Sequence, residues 1–359
     1  MLRKLFTIVT IFASVTIFAE KVQWPPPPSG FASPGHNIPK GTLSEVVRYP
    51  TRQYNDQPFR IHLPPDYSDT REQKYPVLYL LHGIGGNENA WTSNAGHAEG
   101  NADLVMEYLY AQSDLNVVPM LVVMPMGSPD GSGMENFAGF AKFEDVLIND
   151  LIPYIEENYN ASSDPNMRAI AGLSMGAGQT LNFGYKNPEV FTWIGAFSPA
   201  PNTTPAGTTI RDIEAVKSNV HLNFLAAGTA EGSYLNTAQT YHDYLQQNGV
   251  DNLYLQVEQE LDHERENWNR QLHNFAQRIF KGVTHVAQRE PLKINSAKKQ
   301  KAIMVRNSIG TMSGYRGIQI IRGETGFSAT KVFLLNGRAL VSDRPESGIL
   351  PSITREHIR

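Results

Sequence analysis

Between Gly41 and Gly282 the chain alternates short apolar runs with longer stretches of helical periodicity. The runs Val77–Leu81, Met120–Met124, Arg168–Leu173, Thr192–Phe197, His221–Ala226 and Leu253–Val257 have the length and composition of buried strands. Between them, Asn101–Gln112, Phe143–Asn158, Met175–Lys186, Asn236–Asn248 and Asn267–Phe280 read as helices. In the second of these, Val146, Leu147, Leu151, Ile152 and Ile155 fall on one helical face. Strands alternating with helices predict an α/β fold whose mostly parallel sheet is covered on both faces. Phe59–Leu63 is the expected antiparallel strand ahead of it.

The ends of the chain follow different rules. Arg3 and Lys4 precede an almost wholly apolar stretch, Leu5–Phe18, and Ala19 can serve as a cleavage residue. Residues 1–19 therefore read as a secretory signal, too short to span a bilayer comfortably. Residues 20–40 form a Pro-rich segment, in which Pro25–Pro28 excludes helix and central strand. Residues 41–285 make up the α/β domain. Past it, residues 286–359 carry 13 Lys+Arg against 5 Asp+Glu, a net of +8, whereas the rest of the chain carries −12. Short β-like runs there (Ala302–Val305, Gly317–Ile321, Lys331–Leu335) predict a small β-rich C-terminal module. The module is a candidate for attachment to the cell surface or to an acidic polysaccharide.

Composition narrows the chemistry. With 41% hydrophobic and 18% charged residues, the 359-residue chain can build a sizeable core. A net charge of −4 gives no reason to expect nucleic-acid binding. The absence of cysteine excludes disulfides, a thiol nucleophile and thiolate metal sites.

Gly172-Leu-Ser174-Met-Gly176 matches G-x-S-x-G, with a strand expected before it and a helix after it. The glycines let the backbone bend sharply around an exposed nucleophile. His82-Gly-Ile-Gly-Gly86 follows the first buried strand and can present a backbone N–H to an oxyanion. Ile84 is the first choice for that donor and Gly85 the near alternative, with Met175 N–H as the second donor. The base belongs on the loop after the last strand, where His263 lies. Glu231 is the carboxylate in the loop after His221–Ala226. It would hold the imidazole tautomer. Asp262 competes with it but ranks lower, because adjacent side chains rarely face each other. The order Ser174, Glu231, His263 is that of the α/β-hydrolases. Trp91 either walls the acyl pocket or fills the core.

The chain resembles the feruloyl esterases of carbohydrate esterase family 1, within the esterase D-like group. The resemblance is carried by Pro26-Pro-Pro-Ser-Gly30, Val77 to Trp91, Ile152 to Tyr159, Arg168 to Gln179 and Phe197-Ser-Pro-Ala-Pro-Asn202. It implies an α/β-hydrolase fold, Ser174 as nucleophile and His263 as base. It also implies hydrolysis of feruloyl esters on arabinoxylan through an acyl-enzyme, without metal or organic cofactor. Partners would be feruloylated or acetylated xylan oligosaccharides, met outside the cell by a mature form not bound to a membrane. The family's acid is usually Asp in a Gly-Thr-x-Asp loop, whereas this chain has Gly228-Thr-Ala-Glu231. An acetylxylan esterase, another carboxylesterase or an acyltransferase on the same scaffold are the alternatives. A non-catalytic carbohydrate-binding protein is the alternative of a different class.

Overall fold

A computed structural model describes residues 26–35, 37–94, 99–130 and 137–283, together with three short strands further on. The chain divides into two units, Met1–Gln288 and Arg289–Arg359. The first unit holds strands β1 (Thr42–Leu43), β2 (Val47–Tyr49), β3 (Gln57–Leu63), β4 (Val77–Leu81), β5 (Leu121–Pro125), β6 (Arg168–Leu173), β7 (Trp193–Phe197), β8 (Leu222–Gly228) and β9 (Leu253–Glu258). Its helices are α1 (Ala102–Ala111), α2 (Phe137–Val146), α3 (Ile152–Asn158), α4 (Ser174–Lys186), α5 (Ala206–Thr209), α6 (Ile213–Asn219), α7 (Ser233–Gln247) and α8 (Arg265–Ala276).

The sheet runs β1-β3-β5-β4-β6-β7-β8-β9, with β2 also paired to β3. From β5 to β9 all neighbours are parallel, and β1, β2 and β3 form an antiparallel edge. The strands read as unbroken apolar runs because both faces are covered. Val77, Tyr79 and Leu81 of β4 join the core beneath α2, α3, α4 and α7. Leu78 and Leu80 point the other way, into the core shared with α1 and α8. Each fully buried Leu or Phe contributes about 1.5–3 kcal/mol to this arrangement.

The expected helix Phe143–Asn158 is two helices. α2 starts earlier, at Phe137, and a wide π-helical turn, Leu147–Leu151, separates it from α3. Pro153 sits in the first turn of α3 and has no N–H to continue the ladder. Four short elements were not among those expected, namely β1, β2, α5 and α6. The expected antiparallel strand is present as β3.

Residues 26–35 form an extended, turn-containing strap. Phe31 anchors it, buried against His273 of α8 with ring centroids 5.3 Å apart. The described part of the second unit is an antiparallel set, Ile318–Ile320, Val332–Leu334 and Ala339–Leu340, in that order. Two of these fall within the runs expected there. The signal segment and the run Ala302–Val305 lie outside the described residues. Among the described residues no helix is long and apolar enough to cross a membrane.

Candidate active site

Four parallel strands end on the same edge of the sheet, and each delivers one part of the site. β6 is followed directly by Ser174, the first residue of α4, whose φ of +52° lies in the left-handed region. A non-glycine residue held there is strained, and such strain persists where the surroundings fix it. The turn is tight because α4 starts directly on the end of β4. A Cβ built on Gly176 would stand 2.5 Å from the His82 carbonyl oxygen and 2.6 Å from that of Leu81. Gly172 faces the backbone of Gly176 in the same way.

His263 comes from the loop after β9. Its Nε2 lies 2.9 Å from Ser174 Oγ. Its Nδ1 lies 2.7 Å from Glu231 Oε1. A carboxylate can only accept, so Nδ1 carries the proton and Nε2 is free to accept from the serine hydroxyl. The structure thus brings Ser174, His263 and Glu231 into one relay. Glu231 reaches the ring by folding back over a 3-10 turn, Thr229–Glu231, where its Oε2 accepts the N–H of Gly228. Asp262 is not in the relay. Its exposed carboxylate accepts the backbone N–H of His263 at 2.8 Å.

The glycine-rich segment after β4 forms a turn in which Gly86 N–H donates to Gly83 O and Gly85 takes φ +80°. Side chains hold this turn from both sides. Glu99 accepts the N–H of Gly83 at 2.8 Å. His82 Nε2 accepts the N–H of Gly127 at 2.9 Å, so its Nδ1 carries the proton and donates to Gly83 O at 2.7 Å. Complete burial pushes the His82 imidazole down to about 4, which keeps it neutral. Burial raises the Glu99 carboxyl above its ordinary range, against the pull of Gly83 N–H and of the His263 charge. Gln179 of α4 donates to Gly127 O and Phe140 O, both at 2.8 Å. The Ile84 side chain projects outward, 44% exposed. Met175 lies in the first turn of α4, whose leading N–H groups have no partner within the helix.

Trp91 does not wall the pocket. It is 1% exposed, its indole N–H donates to Leu81 O at 2.9 Å, and its ring meets Phe197 edge-on. The backbone of Gly100 lies directly on its face. Trp91 is therefore a core residue that supports the end of β4 from below, and the pocket-wall expectation is corrected. The aromatic groups at the base are others. Tyr234 stacks on the His263 ring at 3.9 Å, and Trp268 meets it edge-on at 4.9 Å. The one sequence signal for Trp268 was its place five residues after His263, at the start of an expected helix. Tyr234 gave none.

The fold is that of the α/β-hydrolases, and the site brings a serine, a histidine and a carboxylate into the order used by its serine hydrolases. The Esterase family model matches residues 54–279, well over half the chain, and the chain belongs to that family. It is 34% identical over 186 residues to the endo-1,4-beta-xylanase/feruloyl esterase of Xylanibacter ruminicola. That match takes in 50% of this chain and 24% of the relative, so the chain spans a minor part of the curated protein it matches. Among solved structures it is similar to a ferulic acid esterase of carbohydrate esterase family 1 from Anaeromyces mucronatus in complex with ferulic acid. The TM-score is 0.60 at 21% identity, over 71% of this chain and 96% of that one. It is also similar to the feruloyl esterase module from Clostridium thermocellum complexed with sinapinate. There the TM-score is 0.59 at 19% identity, over 75% and 98% of the two chains. At these identities the structural likeness carries the fold.

Proposed function

We propose that the protein is a secreted serine esterase that hydrolyses hydroxycinnamoyl esters, feruloyl esters above all, on plant cell-wall arabinoxylan. The observation that carries the catalytic part is the relay Ser174 Oγ–His263 Nε2 at 2.9 Å and His263 Nδ1–Glu231 at 2.7 Å. In this reading Ser174 attacks the ester carbonyl while His263 takes its proton. The N–H groups of Met175 and of Ile84, with Gly85 as the neighbouring alternative, hold the oxyanion. Collapse releases the sugar hydroxyl, which receives the proton from His263, and leaves an acyl-enzyme that water hydrolyses by the same steps. The substrate class rests on the xylanase/feruloyl esterase relative, on the ferulic acid and sinapinate complexes of similar structures, and on the exposed apolar side chain of Ile84 at the turn. Export rests on the apolar N-terminal stretch behind Arg3 and Lys4.

The test is hydrolysis of methyl ferulate and of acetylated xylan, side by side, by the intact chain and by Ser174→Ala. Ferulate release with little acetate, abolished in the variant, is expected. Acetate release without ferulate would reassign the substrate. Hydrolysis undiminished in Ser174→Ala would overturn the mechanism.

A further inference from the structure

Glu231 has two carboxylate oxygens and the relay uses one. The other, Oε2, is held by three donors in a fully packed site. Ser198 Oγ donates at 2.8 Å, Asn267 Nδ2 at 2.9 Å, and the backbone N–H of Gly228 completes the set. Ser198 and Asn267 are wholly buried, and so is Gln271 behind them.

The donors are themselves oriented. The Glu231 carboxylate and the Asp262 carbonyl can only accept, which fixes the Asn267 end facing them as Nδ2, and Gln271 Nε2 donates to Oδ1 at the other end at 2.6 Å. The Asn267 Nδ2 group then has two protons to place. One goes to Glu231 Oε2, the other to the carbonyl of Asp262 at 3.1 Å, next to His263. A single side chain therefore ties the acid to the loop that carries the base. Ser198 takes φ +51°, a left-handed conformation that a serine enters at a cost, like Ser174. Its N–H is bonded to Ala226 O at 2.7 Å, and that backbone geometry accompanies the Oγ contact to Glu231.

We propose that Asn267 and Ser198 are positioning residues that lock Glu231 with Oε2 turned away and Oε1 presented to His263 Nδ1. The inference rests on the serine-esterase reading of the site. The lock is what lets a glutamate serve where a shorter acid is usual, since the longer side chain has more rotamers to lose. Without it Glu231 can turn, and the imidazole loses the partner that sets its tautomer.

Two substitutions test this. Ser198→Gly tolerates the left-handed backbone and removes the Oγ donor together with the Cβ that carries it. Its kcat should fall about tenfold, the effect of losing one hydrogen bond to a charged group, with KM unchanged. Asn267→Asp keeps the shape and places a second carboxyl 2.9 Å from Glu231 Oε2. Two carboxylates that close share a proton. At low pH the protonated Asp donates to Glu231 as the amide did. At higher pH the proton is lost, the donor disappears and the added charge favours protonated His263. The kcat/KM profile should therefore gain a limb that falls with rising pH. The other carboxylates around the imidazole are Asp262, on its backbone N–H, and Glu99, whose charge couples to it. They are present in wild type and variants alike.

A readout without turnover separates this from failure of the esterase reading. The far-downfield proton of His263 Nδ1–H should shift or broaden in both variants, with melting temperature used to confirm folding. Unchanged Nδ1 resonances, a Ser198→Gly kcat within twofold of wild type and a wild-type-shaped profile in Asn267→Asp would overturn the proposal. Full hydrolysis by Ser174→Ala would instead overturn the serine-esterase reading of the site and leave the resonance test standing.

Discussion

The glycine at position 176 offers the sharpest test of how the site is built. In Gly176→Ala the new Cβ meets the carbonyl oxygens of His82 and Leu81 at 2.5 and 2.6 Å and the Leu81 carbonyl carbon at 2.7 Å. Ordinary contacts begin near 3.5 Å, so the start of α4 and the end of β4 must part by roughly 1 Å. Both partners are backbone, and neither has a side chain that can swing aside. Overpacking of this kind costs about 1–3 kcal/mol, against a gain of about 1 kcal/mol from replacing glycine by alanine in a helix. The steric effect wins or breaks even, and the melting temperature should fall by up to about 8 °C. Activity should suffer more than stability. The shift separates Met175 N–H from the Gly83–Gly86 turn, and a misplacement near 1 Å costs about 10²-fold in rate. Gly178→Ala is the control on the same helix. Its Cβ meets Thr203 Oγ1 at 2.8 Å, a side-chain atom that can move aside at the cost of its hydrogen bond to Ala200 O, which the helix preference of alanine over glycine offsets. That variant should keep its activity and its melting temperature. The assays are thermal melting, hydrolysis of methyl ferulate and the rate of labelling by a fluorophosphonate probe. A Gly176→Ala protein with native melting and kcat within threefold of wild type would refute the argument that this contact sets the oxyanion geometry.

Three further outcomes are expected. Glu231→Ala should lower kcat by about 10³–10⁴-fold while Asp262→Ala stays near wild type, because the Asp262 carboxylate faces a backbone N–H and not the ring; comparable losses in the two would reassign the acid. Trp91→Ala should destabilise by about 3–5 kcal/mol in denaturant unfolding, as loss of a 1%-exposed indole from the core, and a loss below 1 kcal/mol would contradict its core placement. Burial holds His62 and His82 down to about 4, against an ordinary value near 6.5. Above 6.5 both states are neutral; as pH falls from there the unfolded chain binds protons that the folded one refuses. Stability should therefore decline between pH 6.5 and 4, by up to about 3 kcal/mol for each histidine. Imidazole resonances of either residue titrating near 6.5 in the folded protein would contradict this.

What could be read from the residues alone was what is local. A buried parallel strand announces itself because both faces are apolar, and β4, β6 and β9 fall within a residue of the expected runs. Ser174 was legible because its constraint is written within five residues, in the two glycines that face backbone. His263 and Glu231 followed from the order of strand ends. Trp91, open between pocket wall and core in the sequence, was settled only by folding, which spends its indole N–H on Leu81 O and brings its ring against Phe197, more distant in the chain.

The network behind Glu231 marks the same limit from the other side. Asn267, Gln271 and Asn274 lie at helical spacing on a buried face of α8. A carboxamide stripe of that kind reads as the solvated side of an amphipathic helix, which is the usual case. Its inversion has a physical cause. The sheet edge beneath α8 carries a buried carboxylate, Glu231, and a buried Gln256, to which Asn274 donates at 3.0 Å. Buried polar groups need partners, and the neighbouring helix supplies Asn267 to Glu231 and Asn274 to Gln256. Once a carboxylate is placed at the end of β8, amides on the facing helix follow. A polar stripe on the helix after the base is thus a consequence of the acid, and it becomes legible as soon as the acid is known.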